Sequence, residues 1–358
     1  MKIVQIIGAR PQFIKAAMVS SAWKSKCDEI IIHTGQHYDY NLSKSFFNEL
    51  EIPEPDVNLN VGSGSHAKQT ANMLVGLEKH LQNISPDWVL VYGDTNSTLA
   101  GSLVAAKLSL PCAHVEAGLR SYNRKMPEEI NRVVSDHLAS LLFCPTSNAV
   151  ENLKKEGITT GVHNTGDVMA DSLFHFLELA QQKSRILKKL NLKLREYSLL
   201  TLHRAGNVDD REKLESITLA LRQIRDKIIF PIHPRTQKML QQFQLGLPRN
   251  VVAISPVGYL DMLMLEENAD CVLTDSGGIQ KEAYLLGVRC ITLREETEWV
   301  ETIDAGWNVV VGASPKAIVS AYNDFRPTND RPQVFGDGRA AGRIARVVLE
   351  QIDCRRKL

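Results

Sequence analysis

The sequence predicts an α/β protein with two doubly wound parallel sheets. Short apolar runs alternate with helical patterns along nearly the whole chain, and this alternation restarts after Asn164-Thr-Gly-Asp167. The chain has 358 residues, too many for one typical domain and enough for two. We therefore expect an N-terminal domain over residues 1–166 and a second domain over 167–338. An amphipathic helix over 339–358 could pack back on the first domain.

The individual elements follow from the same patterns. The strands expected in the first domain are Ile3–Gly8, Glu29–His33, Trp88–Tyr92, Cys112–Val115 and Leu141–Cys144, with helical patterns such as Thr95–Leu108 and Glu129–Ser140 between them. Those expected in the second are Ser198–Leu202, Ile228–Ile232, Val251–Ser255, Cys271–Thr274, Cys290–Leu293 and Asn308–Val311. Open α/β sheets bind ligands at the carboxyl ends of their strands. We expect a site in the turns after these strands, in a cleft between the domains.

Composition excludes several classes of function. The net charge of +1 gives no basic field for nucleic acid. No apolar run approaches the roughly 20 residues that cross a bilayer, and the N-terminus predicts a strand rather than a signal peptide. None of the six cysteines forms a Cys-x-x-Cys pair, which favours buried thiols in the cytoplasm. No residue grouping has metal-ligand spacing, so neither a metal nor another cofactor is expected.

Two turns have the composition of phosphate-binding sites. In Gly8-Ala-Arg-Pro-Gln-Phe-Ile-Lys15, Arg10 lies in the turn at a helix start and Lys15 lies within the first helical turns. In Asp275-Ser-Gly-Gly278, the glycines let backbone amides approach a phosphate, and Glu282 follows one turn later, where a carboxylate could accept from ribose hydroxyls. The alternatives are an ordinary βα turn with solvated charges and a helix cap by Ser276.

A third glycine-rich segment, Gly62-Ser-Gly-Ser-His-Ala67, matches a loose dinucleotide pattern. It follows the polar stretch Pro55–Asn60 rather than an apolar strand, and it lies far from the first βα turn. The context of a nicotinamide site is absent.

Three carboxylates occur near neighbouring strand ends. Asp94 and Glu116 directly follow strands, and Glu128 opens a helix beside Glu129. Each alone is consistent with a helix cap or a dipole contact. Grouped carboxyls raise one another's proton affinity, which suits general acid–base chemistry near neutral pH.

Basic residues follow two strands of the second domain. His203-Arg204 comes after the first of these strands and His233-Pro-Arg235 after the next. A lone histidine is usually an ordinary polar residue. Two of them at successive strand ends favour binding of a diphosphate.

The motifs together resemble those of the non-hydrolysing UDP-N-acetylglucosamine 2-epimerases, of the GT-B glycosyltransferase-like fold with two Rossmann-like domains. The resemblance covers nearly the whole chain. It rests on Gly8–Lys15, Thr34-Gly-Gln-His37, Gly93-Asp-Thr-Asn-Ser-Thr98, His114-Val-Glu-Ala-Gly-Leu-Arg120, Pro127-Glu-Glu-Ile-Asn-Arg132, Leu202-His-Arg204, Asp275-Ser-Gly-Gly-Ile-Gln280 and Thr297-Glu298.

The resemblance implies a role for each matched position. Asp94, Glu116 and Glu128 look like the catalytic carboxylates, and His203 looks like a catalytic or phosphate-side histidine. The implied substrate-binding residues are Arg10, Lys15, Arg204, His233, Ser276, Gly277, Gly278, Glu282, Arg294 and Glu298. Family members invert C2 of UDP-GlcNAc to give UDP-ManNAc for surface polysaccharides, and are commonly homodimers. The expected partner is thus a UDP-sugar, with neither nucleic acid nor membrane.

Some positions depart from the family pattern. A carboxylate is missing at Gly206, the first motif has Gln12 and Phe13, and the late motif reads Arg294-Glu-Glu-Thr-Glu-Trp-Val-Glu301. These variants resemble a branch that acts on UDP-2,3-diacetamido-glucuronic acid. Gln36, Arg204 and His233 match parts of a second, activating UDP-GlcNAc site of bacterial members, whereas Asp39 and Lys68 replace its usual glutamine and arginine.

The predicted reaction is elimination of UDP followed by its re-addition. The C2 proton has no adjacent carbonyl, and transient oxidation would need a nicotinamide site. Three other functions remain as alternatives: a GT-B glycosyltransferase, a hydrolysing epimerase, which Thr95 disfavours, and an inactive nucleotide-sugar sensor, which the three carboxylates disfavour.

Overall fold

The computed structural model describes residues 1–24, 26–36 and 54–355, and it divides into two compact units. Unit 1 comprises Met1–Phe174 and Gln333–Leu358, and unit 2 comprises His175–Pro332. The division expected at residue 166 is observed eight residues later, inside the helix Val168–Lys183, and the chain returns to unit 1 at Gln333.

Unit 1 is a parallel sheet with helices. Its strands are β1 (Lys2–Ile7), β2 (Asp28–His33), β3 (Val57–Asn58), β4 (Trp88–Tyr92), β5 (Cys112–Val115), β6 (Leu141–Cys144) and β7 (Val162–Asn164), in the order β3-β2-β1-β4-β5-β6-β7. Its helices are α1 (Arg10–Trp23), α2 (His66–Ile84), α3 (Asn96–Lys107), α4 (Pro127–Leu138), α5 (Ser147–Lys155) and the first part of α6 (Val168–Lys183).

Unit 2 repeats this architecture with six parallel strands. They are β8 (Tyr197–Thr201), β9 (Lys227–Pro231), β10 (Val251–Ile254), β11 (Cys271–Thr274), β12 (Arg289–Thr292) and β13 (Asn308–Val310), in the order β10-β9-β8-β11-β12-β13. The helices are α7 (Ile186–Lys189), α8 (Ala205–Val208), α9 (Arg211–Gln223), α10 (Pro234–Gln242), α11 (Tyr259–Glu267), α12 (Gly277–Leu286), α13 (Val300–Asp304) and α14 (Pro315–Asp324). The predicted fold class, two doubly wound α/β domains, is confirmed.

The central strands are buried on both faces, which is why they read as continuous apolar runs. Every residue of β4 is buried, and the same holds for β8 and β11.

The last helix, α15 (Ala340–Arg355), packs against α1 within unit 1. The Asp171 carboxylate accepts the amides of Ala340 and Ala341 at 3.0 and 2.8 Å.

Two strands were not predicted from the sequence. The strand β3 lies inside the stretch 55–60 that was expected to be polar and irregular, and β7 lies at the opposite edge of the sheet. Both are short and largely half-buried or exposed, so neither shows the apolar run that marks a central strand. The segment 62–67 therefore follows a short strand and leads into α2.

Each sheet has one point where the direction of winding reverses. In unit 1 this point lies between β1 and β4, and in unit 2 it lies between β8 and β11. Ligands of doubly wound sheets bind in the crevice at such a point. The turns after these four strands are those in which the sequence places Gly8–Lys15, Asp94, His203-Arg204 and Asp275–Gly278.

Candidate active site

The turns after β1 and β4 are joined by one side chain, Gln12. Its Oε1 accepts the amide of Gly8 at 2.7 Å, and its Nε2 donates to the Tyr92 carbonyl at 2.6 Å and to Thr98 Oγ1 at 3.0 Å. Gln12 is buried. In the sequence this glutamine stood out only as a departure from a motif; its contacts give it the role of holding two site turns together.

Asp94 follows β4 and contacts the guanidinium of Arg132 on α4. Burial raises the pKa of the Asp94 carboxyl, the Arg132 charge opposes that rise, and the neighbouring Glu116 charge adds to it. A carboxyl whose pKa is raised in this way takes up and releases protons closer to neutral pH, as a general acid or base requires.

Glu116 directly follows β5 and adopts the left-handed conformation, with φ 72°. Its carboxylate pairs with the ammonium of Lys15, and both side chains are almost entirely buried. Gly93, just before Asp94, also has positive φ, and a Cβ there would lie 3.1 Å from Glu116 Oε2. Glycine at this position lets the Glu116 carboxylate approach the Asp94 turn, so Asp94, Glu116 and Lys15 form one cluster.

The third predicted carboxylate is placed differently. Glu128 is exposed in the first turn of α4, whereas its neighbour Glu129 is buried. Glu129 accepts the amides of Ser121 and Tyr122 at 2.9 and 2.8 Å and pairs with Arg132 at 3.1 Å. Since Arg132 also contacts Asp94, the structure brings Glu129, rather than Glu128, into the cluster through direct contacts.

In unit 2 a buried carboxylate, Asp275, organises the turn after β8. It accepts the amide of His203 at 3.1 Å and that of Arg204 at 2.9 Å. The rings of His203 and His233 lie 5.9 Å apart, and burial lowers the pKa of both imidazoles. Asp275 belongs to a sequence motif, but its partners lie about 70 residues earlier, so the local sequence gives no sign of its role in the site.

The helix α12 starts at the predicted phosphate-binding turn. Ser276 is its N-cap residue but makes no side-chain capping bond, which disfavours the purely capping role. Gly277 begins the helix and Gly278 follows it. Glu298 lies against Gly277 and pairs with Arg294 at 3.0 Å. The free amides and positive dipole end of an α-helix start suit an anion.

Glu282 lies further along α12 and is buried. It accepts the hydroxyl of Tyr259 at 3.0 Å. Burial, and then the Glu282 charge, raise the pKa of the neighbouring Glu266 carboxyl well above its ordinary value. Glu282 is thus held by two side chains of α11.

The remaining motif positions lie at the same strand ends or outside the described ranges. Arg10 is the first residue of α1. Gln36 accepts the amide and hydroxyl of Ser97 at 3.0 and 2.7 Å. His37 and Asp39 fall outside the described residues.

Among the described residues, no cluster of three metal-ligating side chains occurs. None of the helices described has the length and hydropathy of a membrane-spanning segment.

The family model described as UDP-N-acetylglucosamine 2-epimerase matches residues 21–349. The chain belongs to the UDP-N-acetylglucosamine 2-epimerase family. It is thus a member of a family of isomerases.

Two relatives of this epimerase-family chain cover nearly its whole length. A UDP-N-acetylglucosamine 2-epimerase homolog of Methanococcus maripaludis is 53% identical, over 97% of this chain and 99% of the relative. The UDP-2,3-diacetamido-2,3-dideoxy-D-glucuronate 2-epimerase of Pseudomonas aeruginosa is 48% identical, over 96% and 98%.

Solved structures give the same family. The UDP-GlcNAc 2-epimerase of Methanocaldococcus jannaschii, in complex with UDP-GlcNAc and UDP, superimposes with a TM-score of 0.91 at 45% identity and covers 98% of this chain and 100% of that one. A sucrose-phosphate synthase of Thermosynechococcus elongatus, 13% identical, has a TM-score of 0.63 over 99% and 100% of the two chains. The latter likeness supports the GT-B fold alone.

Proposed function

We propose that this chain is a non-hydrolysing 2-epimerase that interconverts UDP-GlcNAc and UDP-ManNAc. The observation that carries the proposal is the proximity of two carboxyls, Asp94 after β4 and Glu116 after the neighbouring strand β5. Each contacts a cation, and Asp94 has a raised pKa. Such a pair supplies the proton transfers of an epimerisation without a cofactor.

Unit 2 is proposed to bind the nucleotide. The N-terminus of α12, at Ser276, Gly277 and Gly278, would receive the diphosphate, and Glu282 would accept hydrogen bonds from the ribose. His203 and Arg204 donate their amides to Asp275 at the winding reversal of unit 2, and the His233 ring lies 5.9 Å from that of His203. Arg294 with Glu298 lies against Gly277, next to the phosphate position.

The first step in this proposal is an elimination. A carboxylate removes the proton from C2 of the sugar, the C1–O bond breaks, and the C–H electron pair becomes the C1=C2 double bond of a 2-acetamidoglucal. UDP leaves with the bonding electrons of the C1–O bond. In this proposal Arg10, His203 and the turn Ser276–Gly278 at the start of α12 stabilise the departing charge.

The second step reverses the first on the other face. A carboxylic acid protonates C2 from the opposite side, and the UDP oxygen re-forms the bond to C1. Two carboxyls are therefore needed, one on each face of C2, and we propose that they are among Asp94, Glu116 and Glu128, without assigning faces. His203 would assist at the phosphate side.

A second substrate is favoured by specific positions. Gly206 is exposed, and a Cβ added there would have no atom within 4 Å. Packing therefore does not explain why a glycine stands where the family pattern has a carboxylate. The relative at 48% identity is named for UDP-2,3-diacetamido-2,3-dideoxy-D-glucuronate. Epimerisation of that sugar by the same steps is the alternative function.

The test is a substrate panel in D₂O. The enzyme is incubated with UDP-GlcNAc alone or with UDP-2,3-diacetamido-2,3-dideoxy-D-glucuronate alone, and each reaction is followed by NMR. The variant Asp94→Asn is the control. We expect the 2-epimer of one sugar with deuterium at C2, and a loss of about 10²–10⁴ in rate for the variant. Epimerised product without deuterium would contradict the mechanism. Free ManNAc would indicate hydrolysis, and turnover only with an acceptor would indicate a glycosyltransferase.

We further propose that the enzyme is a homodimer and works in the cytoplasm. The helix α4 exposes about half of Ile130 and a third of Val134, next to an apolar groove of about 380 Å³ that α2, α3 and α4 line. A second copy would cover these side chains. Light scattering should give twice the chain mass, and Ile130→Glu should give the monomer mass; a wild-type monomer would contradict the proposal.

A further inference from the structure

Behind the carboxylate cluster of unit 1 lies a buried network of charged side chains. His114 is on β5 and Asp136 is on α4, and both are completely buried. Arg120 donates to Asp136 Oδ2 at 2.7 Å and binds both oxygens of Glu156, also at 2.7 Å. None of these four residues was assigned a role from the sequence.

The surroundings of Asp136 stabilise its ionised carboxylate. Its Oδ2 accepts from Arg120 and from the amide of Gly118 at 3.1 Å, and its Oδ1 lies 2.7 Å from His114 Nδ1. Burial alone would raise the pKa of Asp136, but the bonds from His114 and Arg120 outweigh it, so that pKa lies below the ordinary value. An ionised carboxylate only accepts hydrogen bonds, so His114 Nδ1 is the donor.

The other ring nitrogen of His114 also faces an acceptor. Nε2 lies 2.7 Å from the carbonyl oxygen of Gly93, which can only accept. Both ring nitrogens therefore donate, which a neutral imidazole cannot do. The positive charge also adds to the balance of the network, in which Arg120 pairs with both Asp136 and Glu156 and the half-exposed His137 ring lies 3.6 Å from Glu156.

These bonds reach both turns of the site. Gly93 precedes Asp94, and its carbonyl is held by His114. Gly118 lies two residues after Glu116, and its amide is held by Asp136. We propose that His114 is an imidazolium and that the His114–Asp136 pair is a positioning unit that fixes the two carboxylates relative to each other. The catalytic part of this inference rests on the proposed function; the protonation state does not.

The protonation state is tested on the wild-type chain labelled with ¹⁵N-histidine. We expect both ring nitrogens of His114 to resonate as protonated nitrogens under the conditions of the activity assay, each with a slowly exchanging proton, because the ring is buried. The signals are assigned by their loss in His114→Gln, or by their slow exchange if that variant does not fold. An unprotonated ring nitrogen would overturn the proposal, whatever the enzyme's substrate.

The positioning role is tested with two amides. In His114→Gln the amide nitrogen takes approximately the place of Nε2 and keeps a donor for Gly93; in His114→Asn it takes that of Nδ1 and does not. We expect His114→Asn to lower kcat about 10²-fold with little change in KM, since small misplacements of reacting groups have effects of this size. His114→Gln should recover part of that loss.

The matched control is Ser20→Ala. It removes a buried hydroxyl that bonds Gln5 and Glu29 at 2.8 and 2.9 Å and touches neither site turn. All rates are normalised to the fraction of molecules that bind UDP. Ser20→Ala should lose stability but keep kcat. Equal kcat in His114→Asn and in the wild type would overturn the positioning role, whereas an inactive wild type would count against the proposed function only.

Discussion

Asp94 is a carboxyl with a cation and an anion as neighbours. After burial, the Arg132 charge has the largest effect on the pKa of Asp94 and lowers it, while the Glu116 charge raises it. Arg132→Gln should therefore raise the pKa of Asp94 further, and Glu116→Gln should lower it. Carboxyl ¹³C NMR titration measures both shifts, and shifts of the same sign would contradict this electrostatic picture.

This pKa has a consequence for the pH profile. If ionised Asp94 removes the proton, activity is lost as pH falls through its raised pKa, so the acid limb lies above that of an ordinary aspartate. In Arg132→Gln the acid limb of the residual activity should move to higher pH. The control Arg343→Gln breaks an exposed pair with Asp337 and should leave the limb in place.

Two adjacent glutamates on α4 should behave differently when changed to glutamine. Glu128 is exposed, so Glu128→Gln should change the free energy of unfolding by no more than about 0.5 kcal/mol. If it transfers a proton, the rate should fall about 10²–10⁴-fold. Glu129→Gln alters a buried acceptor of two amides and should destabilise the fold by about 1–3 kcal/mol. Thermal unfolding and C2 exchange together separate the two; an unchanged rate in Glu128→Gln would remove it from the mechanism.

At the residue level, the sequence could indicate where polar groups gather but not how they pair. Asp94 and Glu116 were predicted because they follow apolar strands, which are visible in the sequence. Gln12 and Glu129 were not assigned, since their partners depend on how turns from different strands meet. His114 lies inside an apolar run and resembles an ordinary strand residue until Asp136 is seen beside it.

A single added methyl group tests the proposed phosphate position at the start of α12. A Cβ on Gly277 would lie 2.4 Å from Glu298 Oε1, and that carboxylate is held by Arg294. Gly277→Ala should displace Glu298 and weaken UDP binding about tenfold, or about 1.4 kcal/mol. Calorimetric titration with UDP measures the effect.

Gly206→Ala is the matched control for that variant. A Cβ on Gly206 has no neighbour within 4 Å, and the residue lies in the short helix α8. UDP binding should be unchanged, with a gain in stability of up to about 1 kcal/mol from the lower entropy of the unfolded chain. Equal weakening by both substitutions would argue against a phosphate position at Gly277.

Predictability of the elements followed burial. Central strands such as β4 and β11 were predicted with the observed bounds because both faces are apolar. The edge strand β3 has two residues and is half exposed, so its pairing with β2 leaves no mark in the sequence. The observed helix starts differ from the predicted ones by one or two residues. For example, Pro127 rather than Glu129 begins α4.

On the scale of the molecule, the C-terminal helix α15 is part of unit 1, whose other elements come from the first half of the chain. Ile344 is fully buried on α15, which packs on α1. Ile344→Ala should lower the stability of unit 1 by about 2–5 kcal/mol, because it leaves a cavity. The exposed Arg346→Ala should change it by less than about 0.5 kcal/mol. Amide exchange in α1 should accelerate only in the first variant; unchanged exchange would contradict the packing role.

The position of the division between the units could not be derived from the sequence. The helix α6 runs continuously from Val168 to Lys183 without a proline or glycine, yet the division falls between Phe174 and His175. A linker-like composition occurs at Asn164–Asp167, which is where the boundary was expected. Composition marks the loop before α6, while contacts decide to which unit each turn of the helix belongs.

Glu116 adopts a backbone conformation that glycine or asparagine would occupy with less strain, by roughly 1–3 kcal/mol. Its carboxylate is also the partner of a buried lysine, so the two positions are linked. In a laboratory selection for heat resistance alone, position 116 should drift toward glycine or asparagine, and Lys15 should change in step to an uncharged residue. A selection that also demands turnover should retain both.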